Sequence, residues 1–120
     1  SCVTRRPYGG AFEFMNAKSI GSDLNFAWPT AEIAVMGAKG AAEIIFKREI
    51  ANSADPQKKW LEKEAEYAEL FANPYRAAER GIVDEVIFPN ETRSRVISGF
   101  KMLENKNESL PPKKHGNIPL

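Results

Sequence analysis

The sequence is short of two side chains that commonly bind metals or act in catalysis, since it has one cysteine and one histidine in 120 residues. The single Cys2 cannot form an internal disulfide, which favours a reducing compartment. The single His115 lies near the end of the chain, with no second ligand nearby for a metal ion. No nucleophile–base motif is present. We therefore expect no metal site and no catalytic histidine.

Long apolar runs and an excess of charge of one sign are also missing. Seventeen basic and sixteen acidic residues give a net charge of +1, which provides no reason to expect nucleic acid or an anionic membrane as partner. No apolar run approaches the roughly 20 residues that span a bilayer. The 42% hydrophobic and 28% charged composition is typical of a soluble globular protein. Residues 1–6 lack the layout of a signal peptide, and we expect a chain cut from something longer.

The chain does have two glycine-containing stretches near its start, Tyr8 to Phe12 and Ala27 to Gly40. Each places small residues where an extended segment should become a helix. The first N–H groups of a helix have no internal partner, and without side chains in the way they can approach an oxygen that gains negative charge. The pattern predicts an enzyme that stabilises an oxyanion with backbone amides. A tight turn at Gly9-Gly10 and close helix–sheet packing at 37–40 are the plainer interpretations.

Hydrophobic periodicity and turn residues predict short strands that alternate with helices. We expect strands at 1–6, 24–28, 33–36 and 82–88. We expect helices at 11–16, 39–50, 56–71, 75–80 and 90–105. The strand–strand–helix order within 24–50 predicts a repeating β-β-α unit, and therefore an α/β fold rather than a sandwich.

Three helix ends carry specific signals. Asp55 is expected to cap the helix that Pro56 begins. Gly81 is expected to end the helix at 75–80. Asn90 is expected to cap the last helix, with Glu91 in its first turn.

Several longer stretches are distinctive when taken together. They are Thr4 to Phe12, Asn25 to Ala42, Phe71 to Tyr75, Ala77 to Gly81 with Val83-Asp84, Thr92-Arg93, and Lys114 to Leu120. In this order they closely resemble the C-terminal end of the carboxyltransferase (β) subunit of biotin-dependent acyl-CoA carboxylases. Within that family the chain is most similar to the propionyl-CoA carboxylase β and methylmalonyl-CoA decarboxylase α types.

The resemblance implies an α/β, crotonase-like (ClpP/crotonase) superhelix of β-β-α units, of which this chain holds part of one domain. It implies part of the carboxyltransferase C-domain at 1–106 and an extended tail at 107–120. The implied partners are the missing N-terminal carboxyltransferase domain, a biotin carrier or biotin carboxylase subunit, and further copies in a hexamer. No nucleic acid and no direct membrane contact are implied. The implied compartment is the cytoplasm of a bacterium, which is favoured, or a mitochondrial matrix.

The implied activity moves a carboxyl group between carboxybiotin, carried on a partner, and a short-chain acyl-CoA, converting propionyl-CoA to methylmalonyl-CoA. Carboxybiotin releases carbon dioxide, the biotin oxyanion removes the α-proton of the acyl-CoA, and the enolate attacks carbon dioxide. By resemblance, the backbone amides of Gly10 and Ala11 stabilise the biotin oxyanion. The residues implied in binding biotin or substrate are Tyr8, Gly9, Phe12, Glu13, Trp28, Gly37 and Ala38.

Three of these positions depart from the family or have plainer interpretations. Glu13 stands where propionyl-specific members commonly carry aspartate, at a position linked to acyl-chain choice, and its extra methylene leaves the acyl group open. Phe12 stands where tyrosine is common and lacks the hydroxyl. A solvated carboxylate at Glu13 and a core or interface position for Trp28 and Trp60 are the plainer interpretations.

Two other functions stay open. The α subunit of a biotin-dependent methylmalonyl-CoA decarboxylase would share this half of the site. A non-catalytic oligomerisation module would use the helices at 56–71 and 90–105 as contacts. Because the acyl-CoA-binding half is absent, we expect the isolated fragment to be inactive.

Overall fold

The structure of the protein, a computed structural model, describes residues 1–109 and 112. In this part of the chain, three two-residue strands form one sheet in the order β1-β2-β3. The strands are β1 (Cys2–Val3), β2 (Phe26–Ala27) and β3 (Glu85–Val86). Both pairings are parallel, with Cys2 opposite Phe26 and Phe26 opposite Glu85. Since parallel neighbours need a crossover connection, helices lie in both segments between the strands, and a further helix follows β3.

Within the described residues, six α-helices accompany the sheet. They are α1 (Gly10–Phe14), α2 (Ala38–Ile45), α3 (Lys47–Ala51), α4 (Pro56–Phe71), α5 (Pro74–Glu79) and α6 (Thr92–Met102). Short 3₁₀ segments lie at Lys18–Ile20 and Pro89–Glu91. Helix α4 packs against α2 and α3. Among the described residues, none of the helices is long and apolar enough to cross a membrane.

Successive extended segments stack on one another in parallel. The segment that begins at β1 continues to Tyr8, and the segment that begins at β2 continues to Ala34. These two ends meet in an isolated parallel bridge, and the Gly9 N–H donates to the Ala34 carbonyl oxygen at 3.0 Å. The stacking brings the two glycine-containing stretches together although they are distant along the chain.

The buried core lies between β2 and α5 and is made mostly of small side chains. Its buried members are Ala27, Ala31, Ile33, Ala77 and Val83, and the partly buried side chains that pack on them are Val3, Phe12, Ala78 and Ile82. Small side chains allow backbones to approach closely, and each fully buried one still contributes apolar area removed from water. This core anchors the segment at 31–35 beside α5.

All predicted strands and helices except the strand at 33–36 are confirmed in kind, although they differ in extent. The strands expected at 1–6, 24–28 and 82–88 are each reduced to two residues. The strand expected at 33–36 was wrong. Only Ala34 makes a strand-like bridge, and Val35 is 78% exposed, so that segment has no continuous neighbour with which to pair. The helix expected at 39–50 divides into α2 and α3 at Phe46, whose φ of −101° and ψ of 13° leave the α-helical region.

The expected helix ends are confirmed at two of three places. The Asp55 carboxylate accepts a hydrogen bond from the Lys58 N–H at 3.1 Å at the start of α4. Gly81, just after α5, has a φ of +71°. The cap at Asn90 was wrong, because Asn90 lies inside a 3₁₀ turn. The Glu91 carboxylate instead turns back to accept from the Phe88 N–H at 2.9 Å.

The predicted tail at 107–120, including His115, falls largely outside the described residues. The boundary between a domain at 1–106 and that tail therefore stays a prediction. The last helix, expected to reach residue 105, ends at Met102.

Replacing Asp84 by alanine is expected to lower the free energy of unfolding by about 1–3 kcal/mol, because a buried N–H loses its acceptor. The Asp84 carboxylate accepts from the N–H of fully buried Asn25 at 2.8 Å and pairs with Lys18. Urea denaturation of the chain measures the loss. The control Asp23→Ala breaks a surface ion pair with Lys106 at 2.5 Å and is expected to cost less than about 1 kcal/mol. Equal losses in the two variants would contradict this role of Asp84.

Asp84 should also make stability depend on pH in the acid range. Burial alone would raise the pKa of its carboxyl, but the hydrogen bond from Asn25 and the Lys18 ammonium group outweigh burial, so the pKa lies below its ordinary value of 3.8. A carboxyl whose pKa is lowered by folding stabilises the folded state above its unfolded-state pKa. That contribution is lost as pH falls through the folded-state pKa. Below about pH 4 the wild-type chain should therefore lose stability more steeply than the Asp84→Asn variant.

Candidate functional site

The first glycine stretch forms a tight turn that leads directly into α1. Gly9 has a φ of 52° and a ψ of −129°, close to the roughly +60° and −120° of the first central position of a type II′ turn. The turn is closed by a hydrogen bond from the Ala11 N–H to the Tyr8 carbonyl oxygen at 3.2 Å. Side chains rarely adopt this backbone conformation, so glycine is the residue that suits position 9.

The second glycine stretch packs against this turn. A methyl group at Gly9 would lie 2.9 Å from the Val35 carbonyl oxygen, closer than such contacts occur in proteins. A methyl group at Gly37 would lie 3.3 Å from Cε2 of the Tyr8 ring. Because glycine has no side chain, the two segments can approach each other closely at Gly9 and Gly37. At Gly37 this supports the packing interpretation, because its open side is covered by Tyr8.

A carboxylate ties the same two segments together. Glu32 accepts a hydrogen bond from the Tyr8 hydroxyl through one oxygen, and its other oxygen lies 3.1 Å from the Arg6 Nε. The Glu32 N–H donates to the Arg5 carbonyl oxygen at 2.7 Å. Burial, the hydrogen bond to Glu32 and the charge of Glu32 raise the pKa of the Tyr8 hydroxyl. The hydrogen bond from Tyr8 lowers the pKa of Glu32 against the effect of burial, and Arg6 lowers it further.

A cavity of about 540 Å³ opens beside the turn. Its apolar wall comes from the residue after the turn, from the segment at 33–35 and from the ends of α4 and α5. These lining residues are Phe12, Ile33, Val35, Tyr67, Leu70, Phe71, Ala77 and Ile82. The Tyr67 and Phe71 rings lie 5.0 Å apart between centroids. A volume of this size is within the range of pockets that hold small organic ligands.

Charged side chains also line the cavity. Three are basic and two are acidic: Lys18, Arg76, Arg80, Glu13 and Glu79. Arg76 pairs with Glu79 at 2.9 Å. Glu13 accepts a hydrogen bond from the Ser19 hydroxyl, which also lines the cavity. A cavity lined by both apolar and charged groups suits a ligand that has both an apolar and a polar part.

The structure brings together some, not all, of the residues that the sequence singled out. Gly9, Phe12 and Glu13 line the cavity. Tyr8 and Gly37 contact each other beside it. Ala38 is the first residue of α2 and does not line the cavity. Trp28 lies elsewhere, where its indole N–H donates to the Thr92 hydroxyl at 2.9 Å, so a structural role for this side chain is the simpler one.

The two amides assigned to the oxyanion differ in their hydrogen bonding. Within residues 1–109 and 112, the Gly10 N–H has no hydrogen-bond acceptor. The Ala11 N–H is engaged in closing the turn at 3.2 Å. An oxyanion at this turn would therefore accept one hydrogen bond from the unpartnered Gly10 N–H. A second hydrogen bond would come from the Ala11 N–H, which also donates to the Tyr8 carbonyl oxygen. Such three-centre hydrogen bonds are common at helix termini.

Sequence reasoning missed Glu32 and the cavity wall from α4 and α5. Glu32 had one available signal, since it is the single acidic residue within Ala27 to Gly40. The wall residues had none, because Tyr67, Leu70 and Phe71 belong to an ordinary apolar helix face. In the part of the chain that the structure describes, no three His, Cys, Asp or Glu side chains cluster in a way that could hold a metal ion.

Residues 1–118 match a protein family described as the carboxyl transferase domain. The chain is 58% identical over 118 residues to the putative propionyl-CoA carboxylase beta chain of Bacillus subtilis. It is 55% identical over 118 residues to the methylmalonyl-CoA decarboxylase subunit alpha of Propionigenium modestum. Each alignment covers 98% of this chain and 23% of the relative. The chain therefore spans less than a quarter of the length of these curated relatives.

Solved structures of carboxylases and transcarboxylases also match this chain. A crystal structure of the transcarboxylase 12S hexamer, with methylmalonyl-CoA and methylmalonic acid bound, matches with a TM-score of 0.90 and 47% identity. That match covers 99% of this chain and 23% of the other. The beta subunit of geranyl-CoA carboxylase from P. aeruginosa matches with a TM-score of 0.69 and 17% identity. At that lower identity the likeness concerns the fold alone.

Proposed function

This chain belongs to the carboxyl transferase domain family, and on that basis we propose that it is the segment of a carboxyltransferase subunit that helps to move a carboxyl group between carboxybiotin and a short-chain acyl-CoA. The expected conversion is that of propionyl-CoA to methylmalonyl-CoA. The match to transcarboxylase 12S also confirms the predicted crotonase-like α/β class, of which the chain covers part of a domain. The proposal applies to the longer subunit, since the relatives are several times longer than this chain.

The observation that carries the proposal is the type II′ turn from Tyr8 to Ala11 at the edge of the cavity. Gly9 belongs both to the turn and to the cavity wall. The Gly10 N–H beside it has no acceptor among the described residues. A preorganised donor without a partner is what an oxygen with developing negative charge requires, because no existing bond has to break first.

Carboxybiotin, when bound, would supply the carboxyl group as carbon dioxide, and the biotin anion left behind would be the base for the α-proton of the acyl-CoA. The unpartnered Gly10 N–H fits such a group, since it offers a hydrogen bond to the oxygen on which charge accumulates. The Ala11 N–H contributes a second, shared bond. Loss of one donor of this kind costs about 10² to 10³ in kcat in other enzymes.

The apolar side chains of the cavity would exclude water from the reacting groups. Phe12, Val35 and the Tyr67 and Phe71 rings all line this cavity. Removing water strengthens the hydrogen bonds to an oxyanion, because the local dielectric is lower. Glu13 lies on the same cavity and is the residue proposed to contact the acyl chain.

Exposed apolar side chains support the proposed partners, which are the N-terminal carboxyltransferase domain, a biotin carrier and further copies of the subunit. Phe14 is 89% exposed and Phe100 is 73% exposed. The radius of gyration is 19.1 Å, whereas a compact domain of this length has about 14 Å. Apolar surface of this kind commonly marks an interface. A homo-oligomer is proposed by analogy with the transcarboxylase 12S hexamer.

The direct test supplies the full-length subunit with a carboxylated biotin carrier and propionyl-CoA. Formation of methylmalonyl-CoA that depends on both is expected, and its absence from a folded subunit would contradict the proposal. The isolated chain of 120 residues is expected to form no methylmalonyl-CoA under the same conditions, because it represents 23% of the length of its relatives. Turnover by the isolated chain would show that this segment contains the whole site.

A second candidate is the reverse reaction, in the α subunit of a biotin-dependent methylmalonyl-CoA decarboxylase. The 55% identity to the Propionigenium modestum subunit favours it almost as strongly as the 58% identity favours carboxylation. Both reactions use this half of the site. A biotin carboxylase subunit encoded beside the protein would indicate carboxylation, and membrane decarboxylase subunits would indicate the reverse reaction.

A third candidate is a non-catalytic oligomerisation module that uses α4 and α6. Ile97 on α6 is 45% exposed and Leu61 on α4 is 54% exposed, so both helices offer apolar contacts. An inactive full-length subunit that still assembles with its active counterparts would favour this alternative. Carboxyl transfer by the full-length subunit would exclude it.

A further inference from the structure

Glu32 stands at the junction of the two glycine stretches, although it does not line the cavity. Its carboxylate accepts from the Tyr8 hydroxyl and pairs with Arg6 Nε at 3.1 Å. The contact joins positions 24 residues apart in the sequence. A side chain at this junction can fix the position of the turn relative to the second glycine stretch.

Tyr8 transmits this contact to the turn. Its ring lies on Gly37, where any side chain would meet Cε2 at 3.3 Å. Its carbonyl oxygen accepts the hydrogen bond from Ala11 that closes the turn. The next residue, Gly9, donates to Ala34 at 3.0 Å. The position of Tyr8 therefore determines where the Gly10 N–H lies.

We propose that Glu32 is a positioning residue for carboxyl transfer, which holds Tyr8 against Gly37 and so keeps the Gly10 amide in place next to Gly9, which lines the cavity. The inference rests on the function proposed above. Arg6 assists by holding the second carboxylate oxygen, so that the first one faces the Tyr8 hydroxyl. Glu32 itself touches no reacting atom.

The protonation states at neutral pH suit this role. The pKa of Tyr8 is raised by burial and by Glu32, so its hydroxyl keeps the proton that it donates. The pKa of Glu32 is lowered by the hydrogen bond from Tyr8 and by Arg6, so it remains an ionised acceptor. Hydrogen bonds to charged groups are stronger than neutral ones and more restrictive in geometry.

The test compares Tyr8→Phe, Glu32→Ala and Glu32→Gln in the full-length subunit. Tyr8→Phe and Glu32→Ala are each expected to lower kcat about tenfold or more, with KM for the acyl-CoA within about twofold, because a small displacement of a catalytic group mainly raises the barrier. Glu32→Gln keeps an acceptor for Tyr8 and should recover most of the loss. The control Glu66→Gln weakens a surface pair with Lys63 at 2.9 Å and should leave kcat unchanged.

A double variant makes the test specific to the contact. Tyr8→Phe with Glu32→Ala should be no slower than the slower single variant, since both changes remove the same hydrogen bond. Multiplicative losses in kcat would overturn the inference, and so would single variants that lower only the melting temperature. Tyr8→Phe removes one hydroxyl, so the test does not depend on a poorly folded protein. A wild-type subunit without carboxyl transfer would instead refute the proposed function.

Discussion

The Gly9→Ala variant of the full-length subunit is expected to lose carboxyl transfer by about 100-fold or more, comparable to removing an oxyanion donor. Alanine at position 9 would have to adopt a φ of 52°, which costs about 1–3 kcal/mol for a residue with a side chain. Its methyl group would also lie 2.9 Å from the Val35 carbonyl oxygen. The turn must shift to relieve this contact, and the Gly10 N–H shifts with it.

Initial rates of methylmalonyl-CoA formation measure the loss, and urea denaturation measures any change in stability. Gly21→Ala is the matched control, because Gly21 also has a positive φ, of 108°, yet nothing lies within 4 Å of the added methyl group. This control should lose stability but keep its activity. Full activity in Gly9→Ala would show that the geometry of this turn does not matter for the reaction.

Changing Glu13 is expected to change which acyl-CoA the full-length subunit prefers. Glu13 lines the cavity and receives a hydrogen bond from Ser19, so its carboxylate has a defined place on the wall. Glu13→Asp shortens the side chain by one methylene and should favour a longer acyl chain. One methylene in an apolar pocket changes kcat/KM by about 10-fold to 200-fold. Glu13→Ile removes the charge and should shift the preference further.

A panel of acetyl-, propionyl- and butyryl-CoA measures the ratios of kcat/KM for each variant. Glu62→Asp makes the same chemical change on the surface of α4, where Glu62 lies 3.5 Å from the Lys59 ammonium, and should leave the ratios unchanged. Identical ratios for wild type, Glu13→Asp and Glu13→Ile would mean that Glu13 is a solvated carboxylate.

Local features of the fold were predictable because the bonds that make them connect neighbouring residues. The cap at Asp55 joins residues three positions apart, and the turn at Gly9 is closed within four residues. The positive φ of Gly81 follows from its place after a helix. Such contacts need no knowledge of the rest of the chain.

Strand lengths and helix breaks were less predictable because they depend on neighbours. The apolar run at 33–36 has the composition of a strand, but Val35 is exposed and only Ala34 bridges to another segment. Composition cannot reveal whether a partner strand lies beside a run, since strand formation depends on packing against its neighbours. The division of the helix at Phe46 was likewise unpredictable, because no proline or glycine stands at that point in the sequence.

The amino-acid sequence by itself determined the family, through stretches that match in order along the chain, and it located the turn that carries the proposed amides. Tertiary structure alone decided that Gly37 lies against the Tyr8 ring, that the Trp28 indole donates to Thr92, and that Glu32 accepts a hydrogen bond from Tyr8. It also supplied the cavity wall from α4 and α5. The physical reason is distance along the chain: short-range hydrogen bonds follow from residue type, whereas contacts between remote segments follow from which surfaces pack together.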